Sequence, residues 1–211
     1  MSKVQSPIEE RWNAWTHFGG FLFFVVGAIA LSLQLDGYTN YQVLGVVVYM
    51  LCQLFLYAAS TSYHYAPPGG PLKLKLRKMD HISIYGSIAG TYTPVCLITL
   101  ASGNGTFILW IVWGIALFGT IWKLFFTGKF EAFSSLLYLV MGWLAVIDVA
   151  TLDAQFTAME MNLLIAGGVF FSIGVIFYTW NKLYFNHVIW HFFVLAGSIS
   201  HFAMVYSIVS G

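Results

Sequence analysis

His187-Val-Ile-Trp-His191 opens the last apolar run of the chain, Val188–Val209. That run is uncharged and about 20 residues long, which is what a helix needs to cross the roughly 30 Å hydrocarbon core of a bilayer. It also carries two histidines four positions apart. On a helix such a pair lies on one face, one residue above the other. Neutral imidazoles so placed are a common way to hold zinc. Taken alone, the pair also fits two polar residues at a membrane boundary, so the rest of the chain must decide between the two readings.

Working outward, six further runs have the same character: Phe18–Leu35, Tyr41–Tyr63, Ile82–Leu100, Phe107–Phe126, Phe133–Ala150 and Met161–Trp180. The chain is 211 residues, 59% hydrophobic and only 8% charged, against about 25% charged in soluble domains. This is the composition of an integral membrane protein. The runs lack the dyad alternation of a membrane barrel, and open sheet edges cannot sit in lipid. The expected architecture is therefore all-α: one bundle of seven transmembrane helices (18–211) preceded by a cytoplasmic segment (1–17). The first run is read as a retained span, because it is long for a signal sequence and has no small-residue cleavage site. Cys52 and Cys96 each lie inside an apolar run and read as small buried hydrophobes rather than a disulfide framework.

Charge placement sets the orientation. Lys3, Arg11, Lys73, Lys75, Arg77, Lys78, Lys123, Lys129 and Lys182 all fall on one side of the seven runs. The other side carries Asp36, Asp148, Asp153 and Glu160 and no basic residue. The positive-inside rule then places the N-terminus in the cytoplasm and the C-terminus outside. Topology, with some attraction to anionic lipid heads, accounts for the basic loop between runs two and three. It is not read as a nucleic-acid patch.

Five of the six histidines gather at the cytoplasmic depth: His17, His64, His81, His187 and His191. Boundary histidines without a joint role would scatter over both faces. Ionisable groups in a membrane are costly and point to function by default. His64, His187 and His191 would supply three neutral nitrogens, the ligand count of a catalytic zinc with water in the fourth position. Asp80 would orient or deprotonate that water, or hold a ligand imidazole. Its competing reading is an acid stabilised at the start of the third helix. Ser60, one turn from His64, would donate a hydrogen bond to the water or to an oxyanion. His17 and Asn13 are candidates for supporting the ligands from outside. His201, about 15 Å beyond His191 along the helix, is too far for the same metal and is expected to be hydrogen-bonded inside the bundle. Asp148 is expected to snorkel or to meet a neighbouring hydroxyl, and Pro94 to kink the third helix.

The order Glu10-x-x-Asn13-x-x-Thr16-His17, Ser60-x-x-x-His64, Asp80-His81-x-x-Ile84-Tyr85 and His187-x-x-Trp190-His191-x-x-Val194 resembles the haemolysin III proteins. These are the bacterial branch of the progestin and adipoQ receptor family, which is similar in turn to the alkaline ceramidases. The resemblance implies a bacterial inner membrane and zinc near its cytoplasmic face, held by His64, His187 and His191, with Asp80 and Ser60 at the family's acid and serine positions. It also implies hydrolysis of a lipid amide or ester, with a membrane lipid as substrate or ligand. Two other functions stand beside it. One is a receptor, sensor or membrane-homeostasis protein with a structural zinc. The other, ranked lowest because the outer halves of the spans offer few aligned polar residues, is a pore-forming haemolysin.

Overall fold

The structure, a computed structural model, describes residues 5–211. Lys3 and the start of the 1–17 segment lie outside the described residues. The helices are α1 (Pro7–Ser32), α2 (Asn40–Tyr65), α3 (Gly70–Ile98), α4 (Gly105–Phe126), α5 (Glu131–Gly142), α6 (Val149–Gln155), α7 (Ala158–Thr179) and α8 (Asn186–Ser210). A 3-10 turn, Thr99–Ser102, extends α3, and a second, Leu144–Asp148, joins α5 to α6. Counting α5 and α6 as one crossing, seven helical segments are long and apolar enough to span a membrane, and no strand occurs among the described residues. This is the all-helical, seven-span integral membrane bundle expected from the sequence.

Neighbours in the chain pack as neighbours in space. α2 lies against α1 and α3, α4 against α3, and α7 against α8, while α8 returns to α1. α3 is the axis of the bundle: 72% of its most apolar stretch is buried, against 11% for α7, the least buried span. Close approach to α3 depends on Gly90, where a Cβ would stand 2.6 Å from Cys52 Cβ. Small residues at helix contacts serve this purpose in membranes, where there is no hydrophobic gain from pairing helices.

Several helices begin well before their apolar runs. Ser6 caps α1 in a reciprocal box with Glu9, and Pro7 occupies its first turn. Pro71 does the same for α3. Capping of this kind sets a helix start independently of hydropathy. Glu9, Glu10 and Asn13 are therefore on α1, and Asp80 lies some three turns into α3. α8 starts at Asn186, behind Phe185, whose φ of 61° makes a left-handed entry.

The expected fifth run, Phe133–Ala150, is not one continuous helix. α5 stops at Gly142, and Tyr92 Oη serves the break from α3. It donates to the Gly142 carbonyl at 2.9 Å and accepts from the Ala145 N–H at 3.0 Å. Backbone groups freed inside a membrane must find protein partners, and one tyrosine supplies two here. Helix α3 itself continues through Pro94 as far as Ile98.

Candidate metal centre

The end of the bundle that carries Pro7, Tyr65, Gly70, Phe126, Glu131 and Asn186 holds the basic residues among those described, and is called the basic end below. His64 sits in the last turn of α2 and His187 and His191 in the first two turns of α8. One ligand nitrogen from each lies within 4.8 Å of the others. Ring centroids are 4.7 Å apart for His187 and His191, 5.2 Å for His64 and His187, and 5.0 Å for His64 and His191. Nitrogens sharing one zinc at about 2.0–2.1 Å stand roughly 3.3–3.5 Å apart, a gap that modest imidazole rotation closes. Among the described residues this is the one group of three or more His, Cys, Asp or Glu side chains so placed.

The donor set fits a metal. His64 Nδ1 donates to Glu10 Oε2 at 2.7 Å, whereas its Nε2 is buried with no hydrogen-bond partner. An unsatisfied buried acceptor of this kind costs about 1–3 kcal/mol, and a cation removes that cost. His191 Nδ1 donates to the Asn13 carbonyl at 3.2 Å and also faces Thr16 Oγ1 at 3.2 Å. With Nδ1–H engaged, Nε2 keeps its lone pair. Nδ1 bound to an outer acceptor and Nε2 left free is the usual state of a metal-ligating histidine. His187 lies against Tyr178, with ring centroids 5.7 Å apart.

The other sequence candidates surround this group. His17 lies flat on His191, and neither of its ring nitrogens has a hydrogen-bond partner. Tyr57 packs edge-on against His17 and closely over Gly20, which fixes the wall behind the stack. Asn13 enters through its backbone carbonyl. Asp80 is buried on α3 and faces His81, Arg77 and Ser60. The Ser60 hydroxyl is buried beside the Asp80 carboxyl. Because α3 starts at Gly70, the reading of Asp80 as a helix-start acid is corrected: it is too far along the helix to be held there by the dipole.

Outside the group, His201 Nε2 meets the Leu164 carbonyl at 3.3 Å inside the bundle. Asp148 accepts from Thr151 Oγ1 at 2.8 Å, so it meets a neighbouring hydroxyl. His81 Nδ1 lies 3.5 Å from Glu131 Oε2, which also receives Lys123 Nζ at 2.7 Å.

Two charged residues at this end have partners that the sequence does not signal. Glu10 bridges His64 and Lys73 Nζ, the latter at 3.1 Å. Lys123, a topological charge in the sequence, is fully buried and pairs with Glu131.

Two hollows meet at the histidines. A cleft of about 1300 Å³ opens at the basic end, lined by Glu10, Arg11, His64, Lys73 and Arg77 among others. A narrower cavity runs into the bundle from His17, Ser60 and His191 toward His201, past Ile88, Trp143 and Met204. Asp80, His81, Tyr178 and His187 line both.

The family model described as Haemolysin-III related matches residues 5–202. Hemolysin-3 of Bacillus cereus is 40% identical over 198 residues, covering 93% of this chain and 90% of that protein. The Hemolysin-3 homolog of Bacillus subtilis is 39% identical over 198 residues, covering 93% and 92%. At greater distance, the human Monocyte to macrophage differentiation factor is 25% identical over 206 residues, covering 94% and 83%.

Proposed function

The chain belongs to the haemolysin-III-related family, and from that premise we propose that it is a zinc-dependent hydrolase of an amide or ester bond in a membrane lipid. The observation that carries the reading is the position of the histidine group where a cleft lined by charged side chains meets an apolar cavity. A lipid with its head in the cleft and a chain in the cavity would set its linking bond beside His187 and Asp80. A metal clamp with a purely structural role has no use for that junction.

His64, His187 and His191 would hold the zinc through their free nitrogens. When bound, such a metal polarises a carbonyl and lowers the pKa of a coordinated water to about 7. Asp80 takes a proton from the attacking water and returns it to the leaving amine or alcohol, the ordinary exchange of a general base turned acid. The Ser60 hydroxyl, which lies beside Asp80, donates to the oxyanion that develops at the carbonyl. The apolar walls of the inner cavity bind the chain and exclude bulk water from the reacting carbonyl. By the positive-inside rule the basic end faces the cytoplasm, in a bacterial inner membrane.

The test is zinc content and turnover on one preparation. Wild type should carry about one zinc per chain. His64→Ala, His187→Ala and His191→Ala should each lose most of it, and His201→Ala should keep it. Wild type should cleave at least one member of a panel of ceramides and other acyl amides and esters. Full zinc in His64→Ala would remove α2 from the site, and a panel with no turnover would remove the hydrolase.

A further inference from the structure

Helix α1 offers no ligand to the histidine group, yet its first three turns touch both helices that do. Glu10 Oε2 holds His64 Nδ1 at 2.7 Å, and its Oε1 meets Lys73 Nζ at 3.1 Å. Lys73 is itself pinned to the end of α2. It donates to the carbonyls of Tyr63 at 2.6 Å and Ala66 at 3.2 Å, and lies 4.4 Å from the Tyr63 ring centroid. The carboxylate thus has one oxygen for the imidazole and one for a fixed cation, and little freedom to turn.

Across the site, Glu9 Oε1 accepts from the backbone N–H of Phe185 at 3.1 Å. Phe185 is the left-handed N-cap of α8, two residues before His187. One turn on, the Asn13 carbonyl receives His191 Nδ1. A histidine that donates Nδ1–H to a fixed acceptor has its tautomer chosen and its ring plane set. A carboxylate does this best, because it also strengthens the ring as a donor through the other nitrogen.

We propose that Glu10 is the positioning residue of the metal site, holding His64 as the Nδ1–H tautomer with Nε2 turned to the metal, and that Lys73 holds Glu10 in place for that task. This rests on the metal reading above and assigns to α1 the role of an outer clamp on ligands carried by α2 and α8.

The experiment is zinc affinity of the full-length chain in detergent, by competition with a chromophoric chelator, together with the visible spectrum of the cobalt-loaded protein. Glu10→Ala should weaken zinc by about 10–100-fold, the range for loss of an outer-shell partner. Glu10→Gln, the same size and still able to accept from Nδ1–H through its amide oxygen, should lose less and should shift the cobalt bands. Lys73→Met should weaken zinc less than Glu10→Ala. A merely structural role would lower melting of the metal-free and loaded protein alike and leave affinity and cobalt spectrum unchanged. That result, or affinity within twofold of wild type in both Glu10 variants, overturns the assignment. Wild type that takes up no zinc overturns the metal reading and the Glu10 role together; zinc-binding wild type matched by Glu10→Ala overturns the Glu10 role alone.

Discussion

The imidazole of His17 lies face to face with that of His191, centroids 3.6 Å apart and planes 13° from parallel. The stack joins α1 to the deeper histidine of α8 and leaves His17 without a hydrogen bond. Its contribution is then to fix the ring plane of a proposed ligand. His17→Phe preserves a flat ring and should keep zinc affinity within a few-fold, whereas His17→Ala should lose about 10-fold, as when an outer-shell support is removed. Chelator competition measures both. If His17→Ala loses zinc as completely as His191→Ala, His17 is a ligand and the three-histidine set is wrong.

Tyr92 Oη is the partner of both backbone groups at the break between α5 and α6. Tyr92→Phe keeps the ring and strands a carbonyl and an N–H. Each such group costs about 1–3 kcal/mol when buried. Melting of the solubilised variant should fall by several degrees. Unchanged melting would mean the break is satisfied by other means.

Lys123 is buried from solvent and paired with Glu131 at 2.7 Å, while Arg77, His81 and Tyr178 approach the same carboxylate. Lys123→Ala takes away the shortest of these partners. Since Glu131 keeps its others and is 23% exposed, the loss should be about 1–3 kcal/mol, that of one unsatisfied polar group, below the roughly 3–5 kcal/mol of a fully buried charge pair. The double variant Lys123→Met with Glu131→Gln should recover part of it. A double variant less stable than Lys123→Ala would show that Glu131 matters chiefly to Arg77 and His81.

The seven spans were legible because a span is a local property, about 20 apolar residues in a row. The histidine group was legible because its members fall at helical spacing and at one depth. What escaped reading is not written in hydropathy or in the spacing of like residues, and part of it depends on partners far apart in the chain. Glu10 and His64 are 54 positions apart, and the start of α1 is set by Ser6 and Glu9, not by hydropathy. The break after Gly142 lies in an uninterrupted apolar run and is made tolerable by a hydroxyl from α3. Lys123 looked like a loop charge because its partner, Glu131, comes after the turn.

The basic residues also bear on orientation. With Lys73, Arg77 and Lys123 at one end and Asp36, Asp153 and Glu160 at the other, the positive-inside rule predicts that end in the cytoplasm. A reporter fused at Gly211 should be active only outside, and one inserted between Pro68 and Gly69, in the turn before α3, only inside. The reverse pattern would put the histidine group at the outer face.

The last prediction separates ligand from catalyst. Asp80 is buried with Ser60 as its close hydroxyl neighbour, and it lines both the cleft and the inner cavity. Asp80→Asn keeps the size of the side chain but cannot take a proton. Zinc should stay bound, while turnover of a cleaved lipid falls by roughly 10²–10⁴, the usual loss for a missing general base. Ser60→Ala removes one donor near the carbonyl and should cost less than Asp80→Asn, with zinc unchanged. Neither variant removes a helix cap, since α3 starts at Gly70 and Ser60 lies inside α2. Melting should therefore stay close to wild type, and a large fall would mean that turnover reports folding. If Asp80→Asn loses the zinc outright, the carboxylate belongs among the ligands and cannot also be the base. If it keeps both zinc and turnover, the proton moves elsewhere, and His81, the next ionisable group lining both hollows, becomes the residue to change.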